Sequence, residues 1–389
     1  MTLLLCIIYL GFISLGLPDS LFGTAWPILQ PRLDVPLSWA GFVTMTISGG
    51  TILASLFSDR LTYRFGAGKV TACSVAMTAG ALLGFSFARS FPMLVVCAVP
   101  LGLGAGAVDA ALNNFVALHY SSRHMSWLHC FWGVGASISP YVMGFWLSRD
   151  LRWDRGYLTV GLIQAALTLV LFLSLPLWKK ADKTARPEEA RTAPKPLKEL
   201  FRLRGIFYVL FSFLAYCTVE ATAFVWTSTY LVRVKGVGAE DAARYASLFY
   251  LGMTASRLLT GFIADRLGDK RMTRLGYFIC FGGLAMLLIP VASPLPSLIG
   301  LAVAGFGCGP IYPAVIHSTP TLFGRENSQA VVGVQMAFAY TGSTFMPPLF
   351  GLIANHIDLR LFPYYLLFFA ALGFALTALL HRSRKKADA

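Results

Sequence analysis

Charged residues are scarce in this chain, and no polar segment is long enough to form a soluble domain. Asp, Glu, Lys and Arg make up 13% of its 389 residues, compared with roughly 25% in soluble proteins. The sequence also lacks a Cys-x-x-Cys pair, a zinc-ligand spacing, a phosphate-binding glycine loop and a Ser-His-Asp set. We therefore expect neither an enzyme nor a protein that holds a metal or an organic cofactor.

What dominates instead is a series of apolar runs, each long enough to cross a bilayer. Hydrophobic residues make up 56% of the chain, and roughly 20 apolar residues suffice for one crossing. All seven cysteines lie within these runs, where they are expected to be small buried residues without disulfides. The pattern predicts an all-α membrane protein with twelve transmembrane helices. The predicted spans are 4–30, 38–58, 68–88, 92–118, 126–148, 156–178, 205–232, 242–264, 272–291, 295–319, 328–354 and 361–381.

The formal net charge of +14 reflects membrane topology. If both termini are cytoplasmic, most of the 32 Lys and Arg residues fall on the cytoplasmic side, as the positive-inside rule requires. The sequence thus predicts a multi-pass protein of the inner or plasma membrane, in contact with lipid and without a nucleic-acid partner.

A polar linker divides the predicted spans into two halves. Residues 1–178 and 205–381 each hold six spans, residues 179–204 form a basic cytoplasmic linker, and residues 382–389 form a cytoplasmic tail. Repeated six-span units are typical of transporters whose binding site lies near the bilayer midplane, where the repeats meet.

The repeat is clearest in the loops after the second and eighth spans. The stretch "SDRLTYRFG" (58–66) corresponds to "ADRLGDKR" (264–271). An aspartate at such a place can accept hydrogen bonds from a neighbouring helix end and pair with arginine. We expect these loops to form a cytoplasmic gate. The predicted gate residues are Asp59, Arg60, Arg64, Asp265 and Arg266.

Twelve spans, a central basic loop and the two Asp-Arg loops resemble the major facilitator superfamily over essentially the whole chain. Within it, "GLPDSLFGTAWP" (16–27), "GLGAGAVDAALNN" (102–114) and "HCFWGVGASISP" (129–140) are most similar to the fucose-permease branch of sugar:proton symporters. The resemblance implies two pseudosymmetric six-helix halves and a central cavity lined by spans 1, 4, 7 and 10. It also implies a pathway within a single chain, so a monomer is expected.

Three acidic residues lie deep inside predicted spans: Asp19, Asp109 and Glu220. A carboxylate inside the membrane is costly and marks a functional site by default. The resemblance places each of the three on a cavity-lining span, so we expect them to carry the coupling proton, with His129 as a further candidate. His129 is alternatively a neutral histidine bonded to a carbonyl, and a structural hydrogen bond to a neighbouring asparagine would equally account for Asp109.

Polar and aromatic side chains share helical faces with these acids, which suits a polyol. Asp19, Phe22 and Trp26 follow an i, i+3, i+7 pattern, although Trp26 could instead anchor the span at the membrane surface. Hydroxyls need paired donors and acceptors, and the C–H face of a sugar packs on aromatic rings. The predicted substrate is a monosaccharide, moved by proton symport with alternating access. Its predicted binding residues are Asp19, Trp26, Asn113, His129, Glu220, Tyr312 and Gln335.

Other functions stay open at this level. The stretch "GASISPYVMG" (135–144) partly resembles the signature of proton-antiporting exporters, so export of drugs or metabolites is the main alternative. A receptor or sensor without transport is more remote. Na⁺ is the alternative coupling ion, because Asp109 and the asparagines beside it could supply oxygen ligands. Arg257, the one basic residue well inside a span, is expected to reach the cytoplasmic surface or to pair near the loop.

Overall fold

All regular secondary structure is helical in the computed structural model, which describes residues 2–149, 152–185, 195–291 and 293–385. Single 3₁₀ turns lie at Leu37–Trp39 and Leu359–Leu361. The helices up to the linker are α1 (Thr2–Gly16), α2 (Leu21–Leu33), α3 (Ala40–Phe65), α4 (Ala67–Ser86), α5 (Phe91–His119), α6 (Ser122–Leu147), α7 (Trp153–Leu173) and α8 (Leu175–Ala185). The helices beyond the linker are α9 (Leu197–Leu200), α10 (Ile206–Arg233), α11 (Ala239–Thr260), α12 (Ala264–Leu267), α13 (Asp269–Met286), α14 (Leu295–Cys308), α15 (Ile311–His317), α16 (Thr319–Phe323), α17 (Arg325–His356) and α18 (Phe362–Lys385).

Each predicted span is occupied by one long helix or by two consecutive shorter ones. Eight segments within the described residues are long and apolar enough to cross a membrane by length and composition alone. The other four predicted spans correspond to α6, α11, α13 and α17. These four helices are more polar at their ends; α13, for example, begins with the charged stretch Asp269–Arg271.

Two predicted spans are broken in their middle. The first span is interrupted by turns between α1 and α2, at Leu17–Ser20, and the tenth is interrupted between α14 and α15, at Gly309–Pro310. A proline lies at each break, Pro18 at the first and Pro310 at the second. The helix is interrupted there because a proline has no amide hydrogen to donate and its ring disturbs the preceding helical turn. Such breaks expose backbone groups inside a membrane, and they are tolerated where protein or a cavity satisfies those groups.

The chain forms two compact units. The first contains the chain up to Phe115 together with the part from Leu128 to the linker, and the second contains Val116–Trp127 together with the chain from Lys195 onward. The sequence predicts that residues 1–178 form one half. In the structure, however, the segment Val116–Trp127 is grouped with the second unit. We call it the docking segment.

Glycines allow very close helix packing at equivalent places in the two units. In the first, a Cβ at Gly102 of α5 would overlap the carbonyl oxygen of Ile47 on α3, and in the second a Cβ at Gly305 of α14 would overlap that of Phe249 on α11. The α3–α5 contact also holds a hydrogen bond of 3.1 Å from Thr51 Oγ1 to the Gly102 carbonyl. Small residues at such crossings are the usual means by which membrane helices associate.

The predicted linker begins as an amphipathic helix. In α8, Trp178 packs against Gly68 of α4, and its indole nitrogen donates to Ser174 Oγ at 3.1 Å. Residues 186–194 of the linker and residues 386–389 of the tail lie outside the described residues. The first residues of the predicted tail continue the helix α18 as far as Lys385.

Candidate functional site

Asp19 lies at the break between α1 and α2, and its side chain is exposed. One carboxylate oxygen accepts a hydrogen bond of 2.9 Å from the indole nitrogen of Trp132 on α6. The adjacent Ser20 donates to the carbonyl of Ala136, one turn further along α6, at 3.1 Å. The break is therefore held on α6, and it presents the carboxylate to open space within the first unit.

That space is a cavity of about 440 Å³. All of its lining residues belong to the first unit and come from the end of α1, the first break, α2, α3, α4, α5 and α7. Asp19, Phe22 and Trp26, which the sequence predicted to share a face, all line it. Trp26 is otherwise buried, and its indole nitrogen donates to the Leu37 carbonyl at 3.1 Å. Lined largely by apolar groups with few polar ones, the cavity has the character and size of a small-molecule site, roughly 300–1,000 Å³.

Asp109, Asn113 and His129 form a hydrogen-bonded chain in the same unit. Asn113 Nδ2 donates to a carboxylate oxygen of Asp109 at 2.7 Å, and His129 Nε2 lies 3.0 Å from Asn113 Oδ1. The amide hydrogens of Asn113 face Asp109, so the side-chain oxygen of Asn113 faces His129 and accepts a hydrogen bond from it. This contact places a proton on Nε2 of His129. All three side chains are buried. They do not line the cavity.

The face of α6 that carries His129 therefore contacts both α5, at Asn113, and the break between α1 and α2. His129, Trp132 and Ala136 follow helical spacing, and they contact Asn113, Asp19 and Ser20 respectively. Gly16 packs so tightly here that a Cβ would overlap the Trp132 carbonyl oxygen. The spacing in the sequence predicted the shared face, but it could not identify Trp132 as the partner of Asp19.

Glu220 forms a buried ion pair in the second unit. Arg257 Nη2 of α11 lies 3.7 Å from Glu220 Oε1 of α10, and the arginine side chain is only 2% exposed. The expectation that Arg257 would extend to the cytoplasmic surface or pair near the loop is wrong. A buried charge requires a partner of opposite sign, and the acid on α10 provides one inside the helix bundle.

Tyr312 and Gln335, the other predicted binding residues of the second unit, make separate contacts. The Tyr312 ring lies 4.5 Å from that of Phe213, and its hydroxyl is 3.2 Å from Met336 Sδ. Gln335 is fully buried and accepts a hydrogen bond of 2.9 Å from Thr319 Oγ1. Both are integrated into the packing of this unit.

The docking segment is bound by Asp265, one of the predicted gate residues. A carboxylate oxygen of Asp265 accepts from the backbone nitrogen of Arg123 at 3.0 Å, and the other accepts from its guanidinium at 2.8 and 3.0 Å and from Ser121 Oγ at 3.0 Å. Burial disfavours the charged carboxylate, but these bonds outweigh it and hold the pKa of Asp265 below its usual value. Asp265 therefore stays ionised as the acceptor of this contact.

A second acid–base contact lies beside it. Asp269 accepts from Ser122 Oγ at 2.6 Å and lies 2.7 Å from His317 Nδ1, while His317 Nε2 lies 3.1 Å from the Tyr120 carbonyl. Sequence reasoning did not identify Asp269, although it lies within the quoted stretch "ADRLGDKR" (264–271), and it did not identify Ser121 and Ser122 in the docking segment. Of the other predicted gate residues, Arg60 and Arg64 lie over Phe57 and Phe65, at 5.5 and 5.4 Å.

Comparison with known proteins identifies the family. The sequence model described as "Major Facilitator Superfamily" matches residues 8–297 and 246–389. Among curated relatives, an uncharacterized transporter of Sinorhizobium fredii is 27% identical, covering 93% of this chain and 94% of the relative. The gallate transporter of Pseudomonas putida is 25% identical, with coverages of 86% and 79%. The 3-(3-hydroxy-phenyl)propionate transporter of Escherichia coli is 26% identical, with coverages of 78% and 74%.

The fold matches that of solved transporters. The E. coli fucose:proton symporter FucP aligns with a TM-score of 0.78, over 97% of this chain and 98% of that chain, at 14% sequence identity. The predicted all-helical fold with its twelve spans is confirmed by this match. At such low identity the likeness concerns the fold alone.

Proposed function

The chain belongs to the major facilitator superfamily and is a multi-pass membrane transporter, and we propose that it moves a small hydroxylated solute by symport with protons. The observation that carries this proposal is the carboxylate of Asp19, which is exposed on a cavity at a break within a membrane-spanning segment. A carboxylate held among apolar groups is stable when it is protonated or bound to a ligand. Loading of a proton and loading of a solute are thereby linked.

Glu220 is the second proposed coupling group. Its ion pair with Arg257 is buried, and protonation of the carboxylate would remove the charge that balances the guanidinium. A proton on Glu220 therefore changes the interaction between α10 and α11. We assign to Asp109, Asn113 and His129 the positioning of α5 against α6. The contact between Asp265 and Arg123 would serve as part of a cytoplasmic gate, with both termini on that side.

Two classes of solute have support. A monosaccharide is supported by the fold shared with the fucose:proton symporter and by the carboxylate of Asp19 and the aromatic residues that line the cavity. A hydroxylated aromatic acid is supported by the aromatic lining of the cavity and by the relatives named as gallate and hydroxyphenylpropionate transporters.

The experiment is solute uptake into proteoliposomes under an imposed inward proton gradient. A panel of labelled monosaccharides and hydroxylated aromatic acids is compared with the gradient present and collapsed, and with a Na⁺ gradient instead. Accumulation that requires the proton gradient, and that Asp19→Asn and Glu220→Gln abolish, is the expected result. Collapse of the gradient by cationic or lipophilic compounds, without accumulation of any panel member, would instead indicate export.

A further inference from the structure

The side chains that line the cavity beside Asp19 indicate the class of its ligand more closely than the cavity volume does. Most of its lining side chains are aliphatic or aromatic, and the aromatic ones are Phe22, Trp26, Phe85 and Tyr157. The rings of Phe22 and Phe85 meet edge to face at 6.5 Å, and Phe85 stacks on Tyr157 at 5.2 Å. Edge-to-face and offset stacking are the arrangements in which aromatic rings attract one another. These walls can therefore receive a further flat ring.

The same walls are poorly suited to a neutral sugar. A monosaccharide carries hydroxyls around its whole ring, and each one that leaves water needs a hydrogen-bond partner. The hydroxyl of Thr44, on the cavity wall, already donates within its own helix, to the carbonyls of Ala40 and Gly41. An aromatic ring with few polar substituents leaves fewer groups unsatisfied here.

Tyr157 contributes a polar group that lacks a partner. Its side chain is 2% exposed, and its hydroxyl makes no hydrogen bond within the described residues. Leaving such a buried hydroxyl unsatisfied is unfavourable. A solute hydroxyl reaching this wall of the cavity would remove that cost, after a small displacement of the side chains that cover the tyrosine oxygen.

We propose that the cavity of the first unit recognises a small hydroxylated aromatic molecule. Its ring lies against Phe22 and Phe85, its hydroxyl bonds to that of Tyr157, and Asp19 forms the other polar part of the site. The assignment rests on the proposed function, because it names the class of solute that the same transporter carries. It also accounts for coupling to protons: a solute carboxylate and an ionised Asp19 repel each other within one largely apolar cavity, so that an aromatic acid binds together with one proton.

The test is equilibrium binding to the purified full-length protein, measured calorimetrically without any gradient. The probes are 4-hydroxybenzoate, benzoate, which lacks the hydroxyl, and the sugars L-fucose and D-glucose. We expect 4-hydroxybenzoate to bind more tightly than benzoate and than either sugar. The variant Tyr157→Phe should weaken 4-hydroxybenzoate about tenfold, as expected for one lost hydrogen bond, and leave benzoate unchanged. A control, Tyr230→Phe, removes a hydroxyl that bonds the Leu287 carbonyl in the second unit, and should change neither affinity.

The outcomes separate this assignment from the transport proposal. If Tyr157→Phe weakens both aromatic probes equally, or neither, the hydroxyl does not contact the solute and the assignment fails. If a sugar binds tightly and is accumulated with protons while the aromatic probes do not bind, the assignment fails and symport stands. If 4-hydroxybenzoate binds in the Tyr157-dependent way but is not accumulated under a proton gradient, the assignment stands and symport fails.

Discussion

Trp132 donates its indole hydrogen to the carboxylate of Asp19 over 2.9 Å, and so joins α6 to the break between α1 and α2. A hydrogen bond to a carboxylate contributes more than one between neutral groups, about 1.5–3 kcal/mol. The bond also sets the direction of the carboxylate in the cavity. The orientation of the proposed coupling group therefore depends on a residue of another helix.

Replacing Trp132 by phenylalanine should impair solute binding more than it impairs folding. The ring is largely retained, whereas the donor to Asp19 is lost, so we expect KM for uptake to rise about tenfold, as for a lost hydrogen bond to a charged group. The measurement is initial-rate uptake into proteoliposomes at several solute concentrations. The matched control is Trp146→Phe, the same change on the same helix, where the indole donates to Thr159 Oγ1 at 3.0 Å. Equal effects of the two substitutions would show that Asp19 does not need the donor.

The contact of α1 with α6 should be sensitive to a single methyl group. A Cβ at Gly16 would overlap the carbonyl oxygen of Trp132 and come within 2.8 Å of the backbone nitrogen of Ala136. Gly16→Ala should therefore lower the stability of the purified protein by about 1–3 kcal/mol, read as an earlier thermal transition. Gly80→Ala is the control, because among the described residues no atom beyond the backbone of its own helix and its chain neighbours lies within 4 Å of a Cβ at that position on α4. The control should be neutral or stabilising, since alanine favours the helix by up to about 1 kcal/mol.

The ion pair of Glu220 and Arg257 should show strong coupling in a double-mutant cycle. Removing either partner leaves a buried charge, so Glu220→Gln and Arg257→Gln should each destabilise by about 3–5 kcal/mol. The double variant should cost clearly less than the sum of the two, since it leaves no charge. The exposed pair of Asp241 and Arg244, at 3.9 Å, provides a matched cycle, for which we expect a coupling energy of about 0–1 kcal/mol. Additive effects at the buried pair would mean that the two charges are balanced by other groups.

The sequence predicted the fold well because membrane spans leave a strong compositional signal. Runs of apolar residues long enough to cross a bilayer locate the spans. The break at Pro18 could be anticipated from the proline. Asp19, Phe22 and Trp26 line one cavity, as their predicted shared face requires, although Asp19 lies in the turn before α2 and not on the helix.

Contacts across helices could not be predicted in this way. Helical spacing gives neighbours on one helix, whereas the partners Trp132 for Asp19 and Arg257 for Glu220 depend on how helices cross. The sequence also predicted that the Arg257 side chain would lie near the cytoplasmic surface, whereas it is buried beside Glu220. The number of residues between Arg257 and the loop does not determine the direction of its side chain. The Tyr157 hydroxyl, which has no hydrogen-bond partner among the described residues, likewise has no sequence signal, because its surroundings depend on how helices pack.

The binding of the docking segment by Asp265 should depend on pH in one direction. Because the pKa of Asp265 is lowered by its bonds to Arg123, the stabilisation is present above the ordinary carboxylate pKa of about 4. It is lost as the pH falls through the lower value of the bound state. At neutral pH, amide hydrogen exchange in residues 116–127 should therefore be slow. The variant Asp265→Asn should accelerate it at neutral pH.

The neighbouring contact between Asp269 and His317 also holds this segment. The contribution of Asp265 is therefore the difference in exchange rate between the wild type and Asp265→Asn, measured at each pH. That difference should be constant near neutrality and vanish in acid, where both proteins carry an uncharged side chain. Asp358→Asn removes the same charge at a 3₁₀ turn, where the carboxylate accepts from the Arg360 backbone at 2.7 Å, and should leave the exchange of residues 116–127 unchanged. A difference that persists in acid would assign the effect to the shape of the side chain. In that case the charge of Asp265 would not be what keeps the segment bound.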